Sequence, residues 1–130
     1  MKFRLLQITI QLSIISSFFL KSFNYHLQDG TKIPITGFQA LLTNEYWIIG
    51  NLLIWLILII SSYHLVTQII ALINPLLYKK LDQSLTAAII IELVAGLVVV
   101  TLLGTYLELL GMMMIGFVVS GTYLKYKFDL

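Results

Sequence analysis

A single carboxylate, Glu92, interrupts the apolar run from Leu85 to Leu103. An acid in such a setting either carries a proton or cation, or is held by polar partners that fix helix packing. Helical spacing places Leu85, Ala88, Ala95, Gly96, Val99 and Leu103 on its face. Ala88, Ala95 and Gly96 are small enough to let a neighbouring helix approach closely. Three other apolar runs offer complementary groups at helical intervals. Ser61, His64, Thr67, Gln68 and Ala71 form one stripe, Gln7 and Gln11 lie one turn apart, and Met112, Gly116, Ser120 and Tyr123 share a face. The spacing therefore predicts an intramembrane polar cluster of Glu92, His64, Gln68, Gln11 and Ser120. Ala88, Ala95, Gly96 and Gly116 are its expected helix-packing positions. In the chemical version of this reading Glu92 binds the proton or cation and His64 tunes it.

Other chemistries have little support. His26 and Asp29 have no third ligand in pattern, so no metal site is expected. The run Met112, Met113, Met114 points three ways around a helix and reads as apolar filler rather than a copper site. The chain lacks His-Glu-x-x-His, a P-loop, Gly-x-Ser-x-Gly and paired carboxylates, so no enzyme and no cofactor are expected. Cysteine is absent, which removes thiol chemistry and disulfides.

The elements that must position these groups follow from composition. Of 130 residues, 59% are hydrophobic and 11% charged, against roughly 25% charged in soluble domains. Between Glu45 and Lys79 stand 33 residues without Asp, Glu, Lys or Arg. A soluble fold of this length cannot hide four such runs, and a net charge of +2 argues for no nucleic-acid partner. The expectation is an all-α membrane protein, residues 1–130 forming one bundle of four transmembrane helices. The spans are predicted at about 4–22, 46–68, 84–103 and 109–124. Ser84 is the expected N-cap of the third span, and Pro75 marks an end or kink at Asn74. A basic start and short apolar core also fit a signal peptide, but no Ala-x-Ala-like site follows.

Four spans put both termini on one side, together with Lys2, Arg4, Lys79, Lys80, Lys125 and Lys127, six of the eight basic residues. Only Lys21 and Lys32 fall opposite, so the positive-inside rule makes both termini cytoplasmic, in a plasma (inner) membrane. Residues 23–45 then form an extracytoplasmic loop. Within it Asp29 and Gly30 separate two short extended runs, the signature of a two-residue hairpin turn. Pro34 confines its strand to an edge, and Phe38 to Leu42 reads as a short amphipathic turn.

In length, span number and possession of one membrane Glu, the chain resembles the small multidrug resistance transporters. It departs from them in carrying the acid in the third span, Gln residues in the first, and a long first loop from Lys21 to Glu45. The loop layout resembles that of claudin-like four-span proteins, without their Trp and Cys motif. The functional expectation is a non-enzymatic accessory, stabilising or immunity-type subunit. Its partners are the lipid bilayer and another membrane protein or a second copy. The alternative is a small proton-coupled transporter with Glu92 as its site.

Overall fold

The computed structural model describes residues 2–26, 29–42, 48–104 and 107–128. The chain is mostly helical: α1 (Lys2–Ser17), β1 (Phe23–His26), β2 (Lys32–Ile35), α2 (Gly37–Leu42), α3 (Ile48–Ile73), α4 (Pro75–Leu103) and α5 (Leu109–Phe128). Among the described residues three stretches are long and apolar enough to cross a membrane: Gly50–Ile73, Pro75–Thr101 and Leu109–Phe128. The helix over the first expected span stops at Ser17 rather than near residue 22. Its 16 residues reach about 24 Å, short of the roughly 30 Å hydrocarbon core. The stop has a local cause. Ser17 donates its hydroxyl to the Ile14 carbonyl, Ser22 donates to the Ser17 carbonyl at 2.6 Å, and Phe18, Phe19 and Leu20 take tighter i→i−3 bonds.

The third helix begins nine residues earlier than expected, at Pro75 instead of Ser84. Asn74 accepts from the Leu77 amide at 3.3 Å and Pro75 occupies the first turn, where its missing N–H costs nothing. Asn74 also donates its own N–H to Ile70 as the last bond of α3, so a single residue separates α3 from α4. Ser84 lies inside α4, bonded to the Tyr63 hydroxyl of α3 at 2.9 Å. This helical hairpin is the most extensive contact in the fold; α1 packs on α3 and α5, and α5 on α4, closing a ring of four helices.

The ring encloses a core of Ile10, Ile14, Phe18, Ile54, Ile57, Ala95, Val99, Met114, Ile115 and Val118. One end carries the strands. β1 and β2 pair antiparallel, Phe23 opposite Ile35 and His26 opposite Lys32. His26 pairs with Lys32, so the connection is longer than the two-residue turn expected. Within it Asp29 accepts from the Thr31 hydroxyl and, at 2.9 Å, from the Thr31 amide, a side-chain turn. Gly30 does have the positive φ expected of it, +89°. On its other edge Phe23 bridges Leu107, and Ser22 accepts from the Glu108 amide at 2.9 Å. The base of the hairpin is thus sewn to the segment before α5. Thr36 and Gln39 form a reciprocal capping box at the start of α2, Thr36 N to Gln39 Oε1 at 2.9 Å and Gln39 N to Thr36 Oγ1 at 3.2 Å.

Candidate functional site

Glu92 lies in α4 with only 3% of its surface exposed, and its Oε1 accepts the Ser61 hydroxyl of α3 at 2.6 Å. The face predicted around it is the packed face: Leu85, Ala95, Gly96 and Val99 are buried and Ala88 is half-buried. The Leu103 side chain lies outside the described residues. Gly96 turns toward α5, where a Cβ would meet Val118 and Ile115 at ordinary contact distance. The α3 stripe also faces inward, with Ser61, His64, Thr67, Gln68 and Ala71 all buried. Unpaired polar groups in hydrocarbon are costly, so these side chains gather where partners exist.

Gln7 and Gln11 of α1 meet α5. Gln7 Nε2 donates to the Gly121 carbonyl at 2.9 Å, and Gln11 Nε2 donates to Gln7 Oε1 at 3.2 Å. Gly121 permits this approach, since a Cβ there would stand 2.7 Å from Gln11 Nε2. Gln11 Oε1 is buried without a hydrogen-bond partner among the described residues.

A third set, at the end remote from the strands, ties all four long helices together. Arg4 donates to Gln68 Oε1 at 2.9 Å and lies over the Tyr78 ring, 4.8 Å from its centre. Lys125, 5% exposed, reaches the Tyr78 hydroxyl at 3.4 Å and forms an ion pair with Asp82. Sequence reasoning took these cations only as topology markers. The signal that could have found Lys125 is its helical spacing from Val118 and Gly121, which makes it a continuation of the buried α5 face.

Two predicted positions are corrected. Ser120 does not join the polar cluster, because it is exposed and donates to the Gly116 carbonyl of its own helix. Gly116 is not a packing position, since nothing lies within 4 Å of a Cβ placed there. The whole face of Met112, Gly116, Ser120 and Tyr123 points outward. The inward face of α5 is instead Gly111, Met114, Ile115, Val118, Gly121, Leu124 and Lys125. Of the expected cluster, Glu92 is bonded to Ser61, Gln68 to Arg4 and Gln11 to Gln7, and His64 is buried on the same α3 stripe as Ser61 and Gln68.

Asp29 and Gly30 sit exposed at the hairpin tip. Hydrogen bonds from the Thr31 hydroxyl and amide hold the Asp29 carboxyl below its ordinary range. No cluster of three or more His, Cys, Asp or Glu able to hold a metal occurs among the described residues.

These features define the class as far as it goes: a small helical protein with three helices apolar enough to span a membrane and an ionisable group packed between two of them. No family model, curated protein or solved structure matches the chain.

Proposed function

We propose that the chain is a four-helix transmembrane protein of a bacterial type of plasma membrane, with α1 as its fourth, short span. It acts without catalysis, as an accessory, stabilising or immunity-type subunit of another membrane protein. Lys2 and Arg4 in the first turn of α1 and Lys21 beyond its end can snorkel to the two interfaces, which offsets its shortness. The hairpin end carries Lys21 and Lys32 and the opposite end the other six cations, so the positive-inside rule favours cytoplasmic termini.

The observation that carries the accessory reading is the Ser61–Glu92 bond. The carboxylate is engaged within the α3–α4 seam, and Glu92 does not line the clefts formed by the described residues of the α1–α5 and α4–α5 seams. Polar groups used for cohesion leave the outward helix faces and the hairpin for a partner. A pulldown of the intact chain in mild detergent tests this. Stoichiometric recovery of a larger membrane protein supports the reading, and recovery of a pure homodimer counts against it.

The transport reading keeps one specific support: Glu92 is an ionisable group deep in the longest described helix, held by the neutral hydroxyl of Ser61. Glu92→Gln separates the two. An amide still accepts from Ser61, so a cohesive role survives Gln and fails with Glu92→Leu. A proton site fails equally with both, at unchanged membrane abundance.

A further inference from the structure

The cleft between α4 and α5 differs from the two along α1. It encloses about 220 Å³ and is lined by Thr86, Ile89 and Ile90 of α4 and Thr122, Lys125 and Tyr126 of α5. Its floor is apolar: Ile89 is buried, and Ile90 is 56% exposed beside it. Lys125 and Tyr126 line the cleft on the side of the basic end of the molecule, and Tyr126 is 93% exposed. An apolar trough leading into a cationic mouth is the arrangement that suits an acyl chain carrying a negative headgroup.

The cation able to serve such a headgroup is not Lys125, whose charge is matched by Asp82. Lys79 stands seven residues before Thr86 and eleven before Ile90 on the continuous helix α4, so the three share one face. It is exposed and makes no ion pair among the described residues. Seven residues place its backbone roughly 10 Å beyond Thr86, within reach of a phosphate whose glycerol sits at the mouth. Lys80 and Lys127 are exposed at the same end, and Asp82 is the one acid there among the described residues.

We propose that this cleft seats one anionic phospholipid, its acyl chain along Ile89 and Ile90 and its phosphate between Lys79 and the Tyr126 hydroxyl. The site rests on the reading that these helices cross a bilayer. Lipid bound there would bridge α4 and α5 on the side away from α1.

The test uses the intact chain, floated with liposomes to establish embedding. It is then examined by native mass spectrometry with phosphatidylglycerol and phosphatidylcholine of matched acyl chains. Phosphatidylglycerol should bind preferentially, and Lys79→Gln should weaken it about fivefold, the equivalent of one interfacial cation. Lys2→Gln removes the same charge from α1 and should leave binding intact. Ile90→Trp fills the trough with all charges kept and should abolish the adduct. Equal losses from Lys79→Gln and Lys2→Gln would mean diffuse attraction and overturn the site, as would equal binding of the two lipids. Displacement of the adduct by inorganic phosphate would reassign the cleft to a free anion. Failure to float would refute membrane embedding itself, whereas floating without lipid preference would refute only the site.

Discussion

A Cβ on Gly111 would lie 2.3 Å from the carbonyl oxygen of Ser22. That carbonyl accepts the Glu108 amide, so the glycine is what lets α5 start directly against the hairpin base. A backbone atom cannot swing aside as a side chain can. Gly111→Ala should therefore cost stability, by about 1–3 kcal/mol as in other overpacked sites. Gly121→Ala should cost less, because the Gln11 amide it meets can turn. Gly116→Ala meets nothing and should gain about 0.5–1 kcal/mol from helix propensity. Thermal melts of the three purified variants in one detergent give the ranking, and a Gly116 variant as damaged as Gly111 would contradict it.

Lys125 and Asp82 are unequal partners, since Lys125 is 5% and Asp82 33% exposed. Asp82→Asn removes the countercharge of the buried ammonium and should destabilise by about 3 kcal/mol. Lys125→Met leaves an apolar side chain in an apolar place and a carboxylate that can turn to water, so it should be better tolerated. Denaturation midpoints in detergent decide this, and the reverse order would show that Asp82 is the more confined member.

Removing the Ser61 hydroxyl leaves Glu92 Oε1 without that donor. Ser61→Ala should cost about 1–3 kcal/mol, and Ser61→Thr should recover most of it. If Glu92→Gln is combined with Ser61→Ala, the second change should cost less than it does alone. A double-mutant cycle measures the coupling, and additivity would remove the bond from the account of cohesion.

The Asp29 turn should respond to acid. Thr31 stabilises the ionised carboxyl, so that stabilisation is complete above the ordinary value of 3.8 and is lost as pH falls through the lower folded value. Protection of the Thr31 amide from hydrogen exchange should fall in that range. Asp29→Asn, which keeps an accepting oxygen, should show no such step. Gly30→Val should open the tip whatever the pH, because φ of +89° resists a β-branched residue although no atom crowds the site.

What the sequence disclosed depended on whether polarity marked a face. In α3 the stripe of Ser61, His64, Thr67 and Gln68, and in α4 the lone mid-helix carboxylate Glu92, announced the packed surface. In α5 apolar residues run all the way round and small ones occur on both sides. Gly116 and Ser120 were thus indistinguishable from Gly111 and Gly121 until α1 and the hairpin were in place. Lys125 misled for a related reason: a lysine beside aromatics at a helix end reads as an interface anchor, and only the facing Asp82 brings it inside. The hairpin lay nearer the surface of the text. Asp29 and Gly30 located the bend, but the pairing of His26 with Lys32 lies one residue out of the register that a two-residue turn at those positions would give. The Thr36 to Gln39 capping box was there to be read at its usual spacing.

The stitch between Phe23 and Leu107 also carries a clock. A ribosome delivers Phe23 and Ser22 early, yet the groups that pair with them belong to the segment leading into the last helix. Until that segment arrives, the nascent chain holds an open strand edge and an unclaimed carbonyl at the end of its first helix. β1 and β2 can pair early, but the base of the hairpin is fastened only once Leu107 and Glu108 have been made. A chain halted before Leu107 would carry its open edge about eighty residues upstream of the halt.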